Sequence, residues 1–358
     1  MPENILRRTI LHVKALLLAK YGHLEIADLP APVPGANDVL VRVATCGICG
    51  SDVHGFDGST GRRIPPLVMG HEAAGTVAAV GSNVRRFSAG ERVTFDSTIS
   101  CGHCAYCSRS EHNLCDNRRV LGVACGDYSQ PGAFAEYVSV PEHIVYRLPE
   151  NLSFAEAAML EPVSVAVHAV ELSTVAAGET VLVIGAGMIG LLIVQALRAQ
   201  GCRRILVADV KASRLQLARQ AGAAEILQLS GADLVSEIRR FTSGGVDLVI
   251  EAVGMDVTVR AAIECARKGG RVTLVGNVAP EVTLPLQSVV SRQIRLQGSC
   301  ASCGEYPQAI ELIASGAIQV KSLISAIAPL EEGPAWFQRL HAGEPNLMKV
   351  VLTPGEAP

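Results

Sequence analysis

The sequence predicts a two-domain α/β protein: a mostly β, barrel-like half, and a doubly wound half built on a six-stranded parallel sheet. Three observations predict it. The chain has 358 residues, enough for two domains that each bury a core. From Lys14 to about Glu150 it reads as short β-rich runs broken by Gly and Pro. From Glu179 to about Gln297, apolar runs alternate with segments of helical periodicity, which implies a parallel sheet covered on both faces.

In the first half, the runs 38–44, 74–80, 91–95, 133–140 and 143–148 carry the apolar and β-branched residues that suit strands. Pro30-Ala31-Pro32 and Pro34-Gly35 are turn signals. The character changes near Asn151. Ser153 with Glu156 three residues on forms a capping box, opening a helix that runs through Glu161 towards Leu172, with a break or kink expected at Pro162. Strands are then expected over 180–184, 204–209, 225–228, 246–253, 271–275 and 293–296. Helices are expected over 191–199, 212–221, 234–241 and 257–268. Residues 306–353 read as two more helices and a last strand over 349–352.

Composition narrows the function. Apolar residues make up 49% and the formal net charge is -3, so no basic excess points to nucleic acid. Aromatics at 4% argue against a base-stacking surface. No apolar run has the length of a membrane span, and Lys14 interrupts the apolar N-terminal stretch without a cleavage site after it. A cytoplasmic protein acting on a small molecule is the expectation.

The strand at 180–184 runs straight into Gly185-x-Gly187-x-x-Gly190, with Met188 and Ile189 inside the motif, and then into a helix. The first glycine permits the turn, the second lets backbone approach a pyrophosphate, and the third lets helix and strand pack closely. Asp209 ends the next strand. A carboxylate there accepts hydrogen bonds from ribose hydroxyls and repels a 2′-phosphate, which favours NAD over NADP. Lys211 and Arg214 lie just beyond, placed to steady the adenosine half or to face solvent. The motif predicts a Rossmann domain that binds NAD.

Two cysteine-bearing clusters predict metal sites of different kinds. Cys101, Cys104, Cys107 and Cys115 offer four thiolates in one loop, a closed tetrahedral zinc site that shapes the loop and does no chemistry. An iron–sulfur cluster prefers other spacings. The second cluster combines Cys49 with His71 and Glu72. Cys46 competes for the thiolate role, and Glu161 is a further carboxylate candidate. A thiolate, an imidazole and a carboxylate suit a zinc ion that keeps one position open.

The stretches GICGSDVH, GHEAAGTVAAVG, the four-cysteine loop, AMLEPVSVAVHA and VLVIGAGMIGLL together resemble the zinc-containing medium-chain dehydrogenases along nearly the whole chain. Within them the chain is most similar to the sorbitol (L-iditol) and related polyol dehydrogenases. The resemblance implies Cys49, His71 and Glu72 as ligands of a catalytic zinc, with Cys46 a bystander. Glu161, in the Glu161-Pro162 motif, would bind the zinc directly or through water. Ser51 and His54 match the positions that relay the alcohol proton, and Val275, Gly276 and Asn277 would lie on the nicotinamide side. It also implies a GroES-like catalytic domain over 14–160 and 299–358, a Rossmann domain over 161–298, an extension over 1–13, two zinc ions per chain, and a homodimer or homotetramer. The implied reaction is NAD-dependent oxidation of a secondary alcohol of a polyol to its ketone, with zinc polarising the hydroxyl.

Two departures from the family pattern stand out, the first of which bears on the substrate. Polyol members carry a substrate-binding arginine where Ala301 stands between Cys300 and Ser302, and residues 1–12 precede the usual start of family chains. A 2,3-butanediol-type dehydrogenase is the nearest alternative. Threonine dehydrogenases have Asp-Pro-Phe where this chain has Glu161-Pro162-Val163. A phosphopolyol would need a basic pocket, for which Arg62-Arg63 is the nearby candidate. The non-enzymatic alternatives are an NAD-binding sensor or a zinc-stabilised scaffold, which would not need the catalytic ligand set.

Overall fold

A computed structural model describes residues 12–355. The chain divides into two compact units. One holds the described residues up to Glu161 together with those from Val320 onwards, and the other is Pro162–Gln319.

The first unit is built on an antiparallel core. Strand Asp38–Gly47 pairs on one side with Glu72–Val80 and on the other with the C-terminal strand Lys349–Thr353, which in turn pairs in parallel with Ile324–Pro329. Arg92–Phe95 and Val145–Arg147 continue the sheet beyond Glu72–Val80, and Tyr137–Pro141 pairs with the outer half of Asp38–Gly47. A hairpin of His12–Lys20 and His23–Pro30 forms a second small sheet with Leu67–Val68. Alternation in Asp38–Gly47 buries Val39, Val41 and Val43 against Phe95, Phe134 and Val350. One face of each strand is thereby withdrawn from water, the dominant stabilising term in such a unit.

The second unit is an all-parallel sheet. Its strand order is Glu225–Leu227, Arg204–Ala208, Thr180–Ile184, Val246–Glu251, Ala266–Leu274, Arg295–Gly298. Thr180–Ile184 is buried along its length, as a central strand with helices on both faces must be. The order reverses direction between Thr180–Ile184 and Val246–Glu251, the switch point outside whose carboxyl ends ligands bind in such sheets.

Several expectations need correcting. The chain returns to the first unit at Val320, not at 299, because residues 299–319 are tied to the parallel-sheet unit. His168 Nδ1 lies 2.6 Å from Glu305 Oε1, and Gln319 N–H donates to Gln195 Oε1. His12 and Val13, expected in the extension, belong to the strand His12–Lys20 of the first unit, and the rest of the expected extension, residues 1–11, lies outside the described residues. Pro162 makes no kink. The helix starts at Leu160, and Pro162 stands in its first turn, where the missing N–H has no intrahelical partner to lose. The break falls earlier, after the short helix Phe154–Ala157, whose capping box of Ser153 and Glu156 is formed. The helix expected to reach Lys268 ends at Cys265, since Ala266 is already in a strand. Ile324–Pro329 is a further strand that the periodicity of the tail does not reveal.

Candidate active site

Strand Asp38–Gly47 delivers the chain to Cys49, the N-cap of a helix over Gly50–Phe56. Asp52, three residues on, closes the cap: its Oδ2 accepts the Cys49 N–H at 3.3 Å. His71 immediately precedes strand Glu72–Val80, which pairs with Asp38–Gly47 and brings Glu72 opposite Gly47. The result is that one ligand atom each from Cys49, His71 and Glu72 lies within 4.8 Å of the others. Cys46 is fully buried and is not part of this cluster; burial pushes its thiol well up, which suits an inert core residue.

The cluster fits a metal ion. Glu72 is buried with Oε1 unpartnered, while Oε2 accepts from Lys349 Nζ at 2.5 Å. A buried carboxylate oxygen without a donor is costly, and a cation beside it removes the cost. The His71 ring faces Asp52, with Nδ1 3.4 Å from Oδ1, an ion-pair separation outside hydrogen-bond geometry. A carboxylate behind an imidazole is the usual support of a metal-binding histidine. Burial pushes the Asp52 carboxyl up, but His71 and Arg63 outweigh it and hold the group at about 2. Burial likewise disfavours a charged His71, and Asp52 reverses the balance, raising the imidazole well above its ordinary value.

Glu161 stands at the start of the helix Leu160–Ser173 and is not a member of the three-residue cluster. Burial is the largest influence on it. The Glu72 charge adds to that effect, His71 and Lys349 oppose it, and the carboxyl is pushed up to about 7. Ser51 and His54 sit three residues apart on the Gly50–Phe56 helix, both exposed. Ser51 Oγ accepts from Arg63 Nη2 at 3.2 Å.

The four-cysteine loop forms a separate cluster. Cys101, Cys104, Cys107 and Cys115 present sulfurs that all lie within 4.8 Å of one another. Backbone N–H groups of Cys101 and Asn117 donate to Cys115 Sγ, and that of Cys107 donates to Cys104 Sγ. Such donors favour thiolates: the His103 backbone N–H leads the influences holding the Cys101 thiol at about 6, whereas at Cys115 burial outweighs the two donors and pushes the thiol up to about 11. Four sulfurs with no other donor type fit a closed tetrahedral zinc site.

In the second unit, the glycine motif follows Thr180–Ile184. Gly185 has φ 98°, a conformation that favours glycine, and a Cβ on Gly190 would overlap the Gly185 carbonyl where helix Met188–Ala199 meets the strand. Gly187 is the N-cap, and the space its Cβ would occupy is open except for Arg214 Nη1 at 3.9 Å. Helix N–H groups and a guanidinium converge on that opening, as an anion requires. Asp209 follows the strand Arg204–Ala208. Its two oxygens accept from Ala186 N–H at 2.7 Å and Lys211 N–H at 2.8 Å, which fixes the carboxylate beside the motif with further lone pairs to spare. Val275, Gly276 and Asn277 follow the strand Ala266–Leu274, and the N–H groups of Val275 and Gly276 donate to the Glu251 carbonyl.

Sequence reasoning assigned no role to Asp52, Lys349 or Glu251. Asp52 lies inside the quoted loop, and its N3 position after Cys49 was the available signal. Glu251 ends an apolar strand and receives the N–H groups of Val253 and Gly254, holding the loop at the switch point. Lys349 carries no local signal.

Comparison with known proteins places the chain. The family model for the alcohol dehydrogenase GroES-like domain matches residues 35–150, and that for zinc-binding dehydrogenase matches residues 189–315. A sorbitol dehydrogenase from Bacillus subtilis is 32% identical, over 96% of this chain and 98% of its own. A crystal structure from Escherichia coli, described as a short chain alcohol dehydrogenase (rspB) complexed with NADH, superposes with TM-score 0.88 at 31% identity, over 96% of this chain and 99% of its own. A zinc-binding dehydrogenase from Sinorhizobium meliloti bound to NADP gives TM-score 0.85 at 33% identity, over the same shares. The parallel six-stranded sheet with its glycine motif, the mixed-sheet unit and these matches agree: the chain belongs to the zinc-dependent medium-chain alcohol and polyol dehydrogenases, oxidoreductases that use a nicotinamide cofactor.

Proposed function

We propose that the protein oxidises a secondary hydroxyl of a polyol to a ketone, reversibly, with NAD as hydride acceptor. The observation that carries this is the three-donor cluster of Cys49, His71 and Glu72 with a buried, unpartnered Glu72 oxygen. Three protein donors leave a fourth position open, unlike the four thiolates of the loop. Each chain on this reading takes two zinc ions, one held by Cys49, His71 and Glu72 with Glu161 as an adjacent carboxylate, the other by Cys101, Cys104, Cys107 and Cys115. Zinc at the first site, when bound, supplies the Lewis acidity that makes loss of an alcohol proton accessible near neutral pH.

The chain's own residues manage the proton. Ser51 Oγ accepts from Arg63, which leaves the hydroxyl hydrogen free to point elsewhere and makes Ser51 a suitable step towards His54, three residues along the same exposed helix face. Gly185, Gly187, Met188, Ile189, Gly190 and Arg214 receive the pyrophosphate half of the cofactor, Asp209 the adenosine ribose, and Val275, Gly276 and Asn277 the nicotinamide half. A fixed carboxylate at 209 supports NAD over NADP.

Ala301 stands where polyol dehydrogenases carry an arginine, which favours a less hydroxylated substrate of the 2,3-butanediol kind as the second reading. A phosphorylated polyol is disfavoured: Arg63 is committed to Asp52, leaving Arg62 exposed by itself at that place. Among the described residues no helix is long and apolar enough to cross a membrane. We place the protein in the cytoplasm as a homodimer or homotetramer. The outer strand Arg295–Gly298 follows a helix whose Leu286 and Val290 are exposed, a surface suited to a second copy.

The test is zinc analysis joined to an NAD-reduction screen over sorbitol, xylitol, butanediol, threonine, inositols and phosphorylated polyols. About two zinc ions per chain and turnover of a polyol or diol are expected. One zinc and no turnover would leave an NAD-binding scaffold in its place.

A further inference from the structure

Arg63 is the residue whose surroundings the reaction as described does not explain. An arginine next to Arg62, in a stretch ending in two prolines, would ordinarily face water. Its side chain is instead 5% exposed. The backbone is pinned first: Arg63 bridges Ala124, Ile64 N–H donates to the Ala124 carbonyl, and Ala124 N–H donates to the Arg62 carbonyl. The stem then lies flat against the Gly50–Phe56 helix at Gly55, where any Cβ would overlap Arg63 Cγ.

Every nitrogen of the guanidinium is used. Nε and Nη2 donate to Asp52 Oδ1 at 3.3 and 3.2 Å, Nη2 also donates to Ser51 Oγ at 3.2 Å, and Nη1 donates to the Arg62 carbonyl at 3.2 Å. Asp52 is fully buried and touches two metal-ligating residues, the Cys49 backbone through Oδ2 and the His71 ring through Oδ1. A fully buried carboxylate persists only when paired and hydrogen-bonded, and Arg63 is the permanent cation that pairs it.

From this the geometry points to Arg63 as a positioning residue of the metal centre: its planar fork fixes Asp52, and through Asp52 the placement of Cys49 and the His71 ring, while its remaining hydrogen orients Ser51. The inference rests on the reading that a metal occupies the Cys49–His71–Glu72 cluster. A lysine does not replace the fork, because a single ammonium cannot meet Asp52, Ser51 and the Arg62 carbonyl in one plane.

The test uses the full-length zinc protein and measures zinc affinity at both sites by competition with a chromophoric chelator, with the visible spectrum of the cobalt(II)-substituted protein as a second readout. R63M is expected to weaken zinc at the Cys49–His71–Glu72 site by roughly 10–100-fold and to alter the cobalt spectrum of that site, while the four-thiolate zinc is retained. Unchanged affinity and spectrum overturn the inference. D52N keeps the shape of the acceptor and serves if R63M does not fold. It should give a loss of similar size, and R63M/D52N should lose no more than the larger single; additive losses would mean that Arg63 does not act through Asp52. R63K should leave most of the loss in place, and full recovery would overturn the role of the fork. A wild-type protein holding one zinc per chain fails the metal reading itself, whereas two zinc ions with an indifferent R63M fail only the inference.

Discussion

The two cysteine clusters lie in the same unit and are assembled in opposite ways. The four-thiolate cluster is local: Cys101 to Cys115 fall in one loop, and the donors to their sulfurs are backbone N–H groups of the same loop. The Cys49–His71–Glu72 cluster is assembled by the sheet and held from far along the chain. Glu72 is held by Lys349, 277 residues away, and Asp52, behind both Cys49 and His71, is clamped by Arg63. A loop that only needs shape is satisfied by sulfur and its own backbone. A site that must keep a position open needs rigid support that its ligands do not provide themselves.

The sharpest way to break the contrast is to remove sulfur ligands from each cluster in turn. C49A should reduce NAD-linked turnover to background while zinc falls from about two ions per chain to about one and the thermal midpoint changes little. Zinc analysis and steady-state rates on the same preparation check it, and retained turnover would remove Cys49 from the site. C104S/C107S should do the reverse. Losing a structural zinc costs on the order of several kcal/mol, so the midpoint should drop and trypsin should cut at Arg109 or Arg118, while turnover falls only with the folded fraction. A protease-resistant double variant would show that the loop does not depend on metal.

A third substitution lies outside both clusters. D209N removes the carboxylate beside the glycine motif, so the ratio of kcat/KM for NAD over NADP should fall by about tenfold, or about 1.4 kcal/mol. Both zinc ions should stay. Kinetics with the two cofactors measure it, and an unchanged ratio would mean that Asp209 only anchors the Ala186 and Lys211 backbone.

The same contrast explains what was legible in the sequence. Spacing reveals local devices: the four-cysteine loop, the glycine motif, the Ser153–Glu156 box and six parallel strands, each carried by residues close together in the chain. Long-range placement is not written locally. Lys349 looks like the polar start of a last strand, and only the pairing of Val351 with Gly47 carries it beneath Glu72. Arg62 and Arg63 look equivalent, and only the bridge to Ala124 turns one inward and leaves the other in water. Ile324–Pro329 alternates between exposed and half-buried residues over most of its length and owes its strand form to parallel pairing with Lys349–Thr353. Pro162 misleads in the other direction, since whether a proline breaks or begins a helix depends on a start point that periodicity places poorly.

The smallest expected effect comes from an ion pair that no metal touches. Arg271 grips Glu179 with two nitrogens, at 3.0 and 2.5 Å, in the parallel-sheet unit, where both side chains are largely buried. The Arg271 hydrogen bonds hold the Glu179 carboxyl below the usual glutamate range. A carboxylate whose pKa is lower folded than unfolded binds its proton more weakly in the folded state, so its stabilisation is fully present above the unfolded value of about 4.3 and is lost as pH falls through the folded value. E179Q should therefore cost about 1–2 kcal/mol at neutral pH, and the difference from wild type should shrink as the solution is acidified below about pH 4. Urea unfolding at a series of pH values measures it. Because neither cluster includes these residues, the E179Q cost should be the same with and without a zinc chelator, whereas the C104S/C107S cost should vanish once the chelator has stripped the loop. A chelator-dependent E179Q cost would mean that this ion pair is energetically coupled to a metal cluster.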